Sequence, residues 1–254
     1  MANRWVQPVQ APAEKSGTER AHGALPAFPS LEVVYLTDPD ALAAVLPPPL
    51  SAPPEPRVHV RITAIDLTFG EHRHQEMVGF FAVDALHDGL AGEYPLVIPI
   101  DLERAVSISR ERFGEPKKLA EIELIRDGDH VEGRITRSGV TFIEIIGDVA
   151  EELPTPPPYE AHQFWFKFLP NFDGTGFHAP PQLVRVDQVR TPESLERVEG
   201  KLVLRELPSV PVVDLPVLET VSVTWTRRRA THQPVLVGPV DEQGWLPFIA
   251  NRYE

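Results

Sequence analysis

The stretch LAEIELIRDGDHVEGRITRSGVTFIEIIGDV (residues 119–149) decides the fold class. Apolar and polar residues alternate within three short runs of this stretch, and DGDH (127–130) separates the first two. Such alternation indicates strands with one buried face, and an Asp-Gly turn between two of them indicates a hairpin. The stretch therefore predicts a three-stranded antiparallel meander.

The same alternation recurs along most of the chain of 254 residues. In RVHVRITAID (57–66), Val58, Val60, Ile62 and Ala64 share one face of a strand, and His59, Arg61 and Thr63 share the other. About ten such segments with few helical patterns predict a mainly β (α+β) fold, as a closed antiparallel barrel or a double-layered sheet. Residues 1–27 lack periodicity and are predicted to be a flexible N-terminal arm, followed by a single domain over residues 28–254.

Charge and composition exclude several function classes. The 24 basic and 37 acidic residues give a net charge of −13, which argues against nucleic-acid binding, and zero cysteines exclude disulfides and a cysteine nucleophile. No apolar run is long enough for a membrane helix and the N-terminus lacks a secretory signal, so we expect a cytoplasmic protein without a membrane partner. The basic run 227–229 is interpreted as a solvated strand end or subunit contact, and the aromatic run 164–166 as core or subunit-interface packing.

Lysine usage points to one segment. Only five of the 24 basic residues are lysines, and two of them, Lys117 and Lys118, are adjacent in GEPKKLA (114–120). A lysine that attacks a carbonyl must be a free amine, a form held by fewer than roughly one ordinary lysine in a thousand at neutral pH. An apolar pocket or a neighbouring cation lowers a lysine pKa. By itself the pair is a weak signal, because most adjacent lysines lie on a solvated surface.

Four ordered motifs resemble the acetoacetate decarboxylase family. The run SRERFGEPKKLA (109–120) is similar to the family's active-site segment, and VVYLTDPDALAAVLPPPL (33–50), FKFLPNFDG (166–174) and DLPV (214–217) are similar to further family segments in the same order. The resemblance covers residues 28–220. It implies a cone-shaped antiparallel β-barrel that assembles into homo-oligomers and uses no cofactor.

The resemblance also implies roles for individual residues. Lys117 would form a Schiff base with the substrate, and Lys118 would be the neighbouring cation that perturbs it; acetoacetate decarboxylase is the standard example of this kind of lysine activation. Glu76 falls where the family has a pocket carboxylate. Arg110 and Glu111 match the R-E ahead of the lysines and would support that segment.

Three positions depart from the family pattern. The decarboxylase has an arginine just before its first strand and a glutamate on the strand after the Pro-rich connector, where this chain has Phe28 and Arg61. Glu115 stands where the decarboxylase has an aromatic residue. One interpretation is that Arg61 holds the substrate carboxylate through a bidentate contact. The other is that a pocket containing Phe28, Arg61 and Glu115 serves a different substrate and reaction.

Lysine chemistry leaves three functions open. A Lys117 iminium could lose CO₂ from a 3-oxo acid resembling acetoacetate, with Glu76 transferring the proton. The same iminium could support aldol addition and dehydration between a 2-oxo acid such as pyruvate and an aldehyde. A non-catalytic barrel that binds a small ligand is the third alternative. In each case the predicted partners are a small oxo acid and further copies of the chain.

A metal site is a weaker alternative. EHRHQE (71–76) contains His72, His74 and Glu76, an H-x-H with a carboxylate such as occurs at metal sites in β-barrels. The second histidine motif that such sites need is missing from the sequence. We therefore predict no metal, with both histidines on an exposed loop.

Overall fold

The computed structural model describes residues 22–69 and 72–250, and the side chains of residues 25–66 and 75–250. Within these residues the chain forms eleven strands and three short α-helices. The strands are β1 His22–Leu36, β2 Arg57–Phe69, β3 His72–His87, β4 Leu90–Ile100, β5 Lys117–Leu119, β6 Glu121–Asp127, β7 His130–Arg137, β8 Val140–Leu153, β9 Tyr159–Lys167, β10 Gln182–Leu204 and β11 Glu219–Pro239. The helices are α1 Pro39–Ala44, α2 Glu103–Phe113 and α3 Glu242–Trp245, with 3₁₀ turns at Val212–Asp214 and Leu246–Phe248.

Seven strands close into a ring. They pair in the order β11-β1-β2-β3-β4-β9-β10, and β10 pairs back with β11. The pairs are antiparallel except for one parallel contact between β4 and β9, at Glu93 and Gln163. Strand β10 is 23 residues long; its first half pairs with β9 and its second half leaves the ring to pair with β8.

The meander of β6, β7 and β8 forms a second layer over the ring. Gly133 of β7 permits a close approach, because a Cβ at this position would lie 2.8 Å from the Ile62 side chain of β2. The main core fills the space between the layers, with Val60 and Ile62 from the ring and Ile135 and Ile143 from the meander fully buried. The predicted meander and the mainly β, double-layered fold are confirmed.

The predicted N-terminal arm needs a correction at its end. Strand β1 begins at His22 and pairs with β11, so residues 22–27 belong to the sheet; residues 1–21 lie outside the described part of the chain. Backbone pairing with β11 makes these residues part of the strand. The sequence did not show this, because the segment is short, is interrupted by Pro26 and has no alternation of apolar and polar residues. No helix within the described residues is long and apolar enough to cross a membrane.

Candidate active site

The ring encloses a cavity of about 310 Å³ lined by side chains that alternate inward along its strands. This volume is at the lower end of the range of roughly 300–1,000 Å³ typical of small-molecule sites. One part of the wall is apolar, formed by Phe28, Phe80, Ile98, Phe113 and Trp165. The polar part contains Arg61, Glu76, Glu115, Lys117, Gln163, Arg190 and Arg228.

Local backbone structure carries Lys117 into this cavity. Helix α2 ends at Phe113 and is capped by Gly114, whose φ of 84° favours glycine and whose N–H donates to the carbonyl oxygens of Ser109 and Arg110. A Cβ at Gly114 would also lie 2.3 Å from the Phe166 carbonyl oxygen. The chain then turns through Pro116 into β5, which pairs in parallel with β4 so that Lys117 stands beside Ile98.

The Lys117 amine has two close polar partners. Its Nζ lies 2.9 Å from Oε2 of Glu115 and donates to Oγ of Ser109 at 3.1 Å. The Lys117 and Glu115 side chains are only 12% and 9% exposed, so water screens this ion pair weakly. A potential nucleophile and a carboxylate are thus in direct contact, and both side chains are largely buried.

The structure does not bring Lys118 to this site. Its Nζ donates to the Ser209 carbonyl oxygen at 2.7 Å, and its side chain lines a different cavity, with Val210 and Leu215. The predicted role of Lys118 as the neighbouring cation therefore needs correction. Consecutive residues of a strand point to opposite faces, and both lysines belong to β5, so adjacency in sequence separates their ammonium groups.

A buried carboxylate, Glu93, joins two arginines at the cavity wall. Arg61 donates to it through Nη1 and Nη2 at 2.7 and 2.5 Å, and Arg190 donates to the same oxygens at 3.1 and 3.2 Å. Gln163 Nε2 adds a contact at 3.3 Å. Burial opposes ionisation of this carboxyl, but Arg190 and Arg61 hold the pKa of Glu93 well below its usual range. The two arginines therefore share one negative charge.

Arg61 lines the cavity as expected, but its bidentate partner is the protein's own Glu93. Its guanidinium carbon also lies 4.0 Å from the centre of the Phe80 ring, a cation–π contact that fixes the plane of the group. The two Arg61 nitrogens that were predicted to bind a substrate carboxylate therefore already bind the Glu93 carboxylate. Any contact from Arg61 to a substrate must use its remaining N–H groups.

Arg228 supplies a cation beside Phe28, the position to which the family resemblance assigned an arginine. The two residues pair directly across β1 and β11, and the Arg228 guanidinium carbon lies 5.7 Å from the Phe28 ring centre. Arg228 forms an ion pair with Glu32. Despite burial, Arg228, Arg61 and Arg190 lower the pKa of the Glu32 carboxyl. Burial lowers the pKa of Arg228, and Glu32 opposes this effect.

The run 227–229 is therefore only partly a solvated strand end. Arg227 and Arg229 are exposed and pair with Glu193, whereas Arg228 is 7% exposed and faces the cavity. Sequence reasoning missed Arg228, Arg190 and Glu93. The available signal was alternation along β11, which puts the middle arginine on the same face as Ala230.

These buried charges leave the cluster positive. Arg61, Arg190 and Arg228 carry three positive charges and Glu32 and Glu93 two negative charges, so the net charge is 3 − 2 = +1. In a buried setting a net positive charge favours an anionic ligand. The cluster's three arginines line the cavity that contains Lys117, so they are the groups there that suit a substrate carboxylate.

The remaining predicted residues divide between the cavity and its surroundings. Glu76 is 8% exposed and lines the cavity, as does Phe28. Arg110 and Glu111 lie on α2 outside the lining, where Glu111 is exposed. In the aromatic run, Phe164 and Phe166 are buried in the core, but Trp165 forms part of the cavity wall.

The side chains of His72 and His74 lie outside the described side chains. The backbone of both residues belongs to β3 and pairs with β2, so the prediction of a loop at these positions was wrong. Among the side chains that are described, no group of three or more His, Asp or Glu residues could hold a metal ion.

Comparisons with known proteins identify the family of the chain. A family model described as acetoacetate decarboxylase matches residues 8–240. The chain is 27% identical over 226 residues to acetoacetate decarboxylase of Clostridium botulinum, covering 87% of this chain and 89% of the relative. It is 32% identical over 205 residues to that of Burkholderia cenocepacia, covering 75% and 78%.

Solved structures give the same family fold. Acetoacetate decarboxylase from Legionella pneumophila has a TM-score of 0.75 at 20% identity, covering 94% of this chain and 99% of that one. The enduracididine biosynthesis enzyme MppR complexed with pyruvate has a TM-score of 0.71 at 15% identity, covering 84% and 89%. Because the family model matches most of the chain and the relatives are matched over most of their own length, the chain belongs to the acetoacetate decarboxylase family.

Proposed function

We propose that the protein is a carbon–carbon lyase that acts on a small oxo acid through a Schiff base on Lys117, without a cofactor. The observation that carries this proposal is the largely buried Lys117 amine in a cavity whose wall also holds the arginines of the buried cluster, Arg61, Arg190 and Arg228. The amine suits the ketone of an oxo acid, and the cluster suits its carboxylate. Our first choice of reaction is decarboxylation of a 3-oxo acid, in keeping with the names of the curated relatives.

The proposed reaction runs through an electron sink. The Lys117 amine adds to the ketone carbon, and loss of water leaves an iminium. The bond between the carboxylate and its neighbouring carbon then breaks, CO₂ leaves, and the electron pair moves to the nitrogen to give an enamine. Protonated Glu76 delivers its proton to the enamine carbon and takes up another from solvent, and water hydrolyses the new iminium to release the ketone and restore Lys117.

One observation supports a second reaction, aldol addition and dehydration between a 2-oxo acid and an aldehyde. Phe28, Phe80, Phe113 and Trp165 give the cavity an extended apolar wall beyond what a small oxo acid requires. MppR, which shares the fold, has been solved with the condensation product of pyruvate and imidazole 4-carboxaldehyde. The apolar wall could hold the side chain of an aldehyde.

Borohydride trapping tests the proposal. The protein is incubated with acetoacetate or pyruvate, reduced, and examined by intact mass. We expect an adduct with the wild type and with Lys201→Ala, which removes an exposed lysine of β10, and no adduct with Lys117→Ala. An adduct that persists in Lys117→Ala would refute the assignment of the nucleophile. Failure of both acids to form any adduct would favour the non-catalytic binding alternative.

Two further expectations accompany this function. The family resemblance implies a homo-oligomer, and exposed apolar residues such as Val189, Leu236 and Val237 on β10 and β11 would suit a subunit contact. Light scattering coupled to size exclusion measures the assembly directly. The cytoplasmic location expected from the sequence stays a prediction.

A further inference from the structure

We propose that Glu115 is the acid–base group that moves protons between Lys117 and the substrate oxygen while the iminium forms. This inference rests on the proposed function, because it assumes that Lys117 attacks a carbonyl. The sequence predicted Glu115 as a residue of the substrate pocket, and the proposal gives it a role in proton transfer instead. It also explains how Lys117 could become a free amine although Lys118, the expected neighbouring cation, points away.

The geometry puts the carboxylate in reach of the reacting nitrogen. Oε2 of Glu115 lies 2.9 Å from Nζ of Lys117, within the distance needed for direct proton transfer. Glu115 is 7% exposed as a whole residue, so bulk water has little access to the pair. Ser109 Oγ accepts a second hydrogen bond from Nζ at 3.1 Å and fixes the direction of the amine.

The backbone around Glu115 holds this arrangement. The Glu115 N–H donates to the Ser109 carbonyl oxygen at 3.4 Å, which ties it to the last turn of α2. The Lys117 N–H donates to the Glu115 carbonyl oxygen at 2.8 Å across Pro116, whose ring restricts the intervening φ. The carboxylate and the amine are thus two residues apart on one side of a constrained segment.

The other charged groups that face the cavity lie on other strands. Arg61 on β2, Arg190 on β10 and Arg228 on β11 are cations and cannot accept a proton from an ammonium. Glu76 on β3 and His232 on β11 also line the cavity. Glu115 is the carboxylate chosen here because its Oε2 lies 2.9 Å from Nζ. We therefore assign the proton transfer at nitrogen to Glu115 and keep Glu76 for the enamine carbon.

The protons balance in this scheme. Glu115 takes one proton from the Lys117 ammonium, and the free amine attacks the ketone carbon as the carbonyl π electrons move to oxygen. Glu115 returns that proton to the oxygen, giving a carbinolamine with a protonated nitrogen. It then removes a second proton from nitrogen and delivers it to the hydroxyl, which leaves as water. The products are the iminium, water and the original Glu115 carboxylate, so no outside acid or base is consumed.

The test measures how fast the iminium forms. Wild type, Glu115→Gln, Glu115→Asp and the exposed control Glu103→Gln are mixed with acetoacetate or pyruvate, quenched with borohydride at set times and examined by intact mass. Glutamine keeps the size of the side chain but cannot accept the proton. General acid–base groups contribute about 10²–10⁴-fold, so we expect adduct formation at least about 10²-fold slower in Glu115→Gln, partial activity in Glu115→Asp and the wild-type rate in the control.

A rescue experiment separates proton transfer from structural damage. In Glu115→Ala, added formate should restore part of the rate if the missing group is a proton acceptor. A Glu115→Gln rate equal to or faster than wild type would overturn the proposal, because Glu115 would then only hold the lysine protonated. A slow Glu115→Ala that formate does not rescue would also count against it. Absence of an adduct in the wild type itself would instead refute the proposed function.

Discussion

The substitution Glu93→Gln tests whether the buried cluster is held together by its shared carboxylate. Glu93 accepts four contacts from Arg61 and Arg190 and lies behind the cavity wall with an exposed side-chain fraction of 10%. Glutamine has nearly the same shape, but one carboxylate oxygen becomes an NH₂ donor that faces arginine donors. The net charge of the cluster rises from +1 to 3 − 1 = +2, with little solvent to screen it.

The expected cost follows from that geometry. Removal of one partner from a buried ion pair costs about 3–5 kcal/mol, since the remaining charges stay buried without compensation. For a domain of this size each kcal/mol lowers Tm by about 2–4 °C, so Tm should fall by roughly 6–20 °C. Calorimetry and urea unfolding measure the change, at equal protein concentration because assembly would shift both values.

A matched control exists on the surface. Glu144 also contacts two arginines, Arg134 at 3.1 Å and Arg205 at 2.5 Å, but both arginines are substantially exposed. Glu144→Gln should therefore cost no more than about 1 kcal/mol. Equal losses in the two variants would refute the reasoning, because burial would then make no difference to the strength of the pair. A loss below about 1 kcal/mol in Glu93→Gln would refute it as well.

Two further predictions concern pH and catalysis. Arginines lower the folded-state pKa of Glu93 and Glu32 despite burial, so both carboxylates stabilise the fold above their unfolded pKa of about 4.3. This contribution to stability is lost as pH falls through the lower folded-state pKa values. Urea titrations at decreasing pH should therefore show a smaller loss of unfolding free energy for Glu93→Gln than for the wild type. Equal losses in the two proteins would contradict the assignment. Glu76→Gln should retain the Lys117 borohydride adduct but lower turnover by about 10²-fold or more, measured as CO₂ release, because proton delivery to carbon is lost. Normal turnover in that variant would exclude Glu76 as the proton donor.

Much of the fold follows from local pattern. Alternation along residues 57–66 and 119–149 identifies these strands. It also correctly places Ile62 on the core face and Arg61 on the cavity face, because side chains alternate between the two faces of a strand. Closure of the ring could not be predicted in this way. It closes through pairing of β10 with β11 and through one contact between Glu93 and Gln163, residues far apart in the chain whose pairing no local pattern specifies.

The candidate site divides in the same way. The segment 114–120 pointed to Lys117 by sequence, and the chain's own turn at Gly114 carries that lysine into the cavity. By contrast, the partners of Arg61 and Phe28 became visible only in the folded chain, where Glu93 and Arg228 reach them from other strands. The cation beside Phe28 is Arg228, which lies 200 positions later in the sequence and was not predicted from it.

The sequence by itself therefore predicted most of the strands, the family and Lys117 as the candidate nucleophile, since each prediction depends on patterns whose residues lie close together in the chain. Only the tertiary structure decided which charges meet in the cavity and that Lys118 points away from Lys117. The physical reason is strand geometry. Alternation tells which residues share a face, but contacts across a ring depend on the register between strands, and that register is set by packing of the whole sheet.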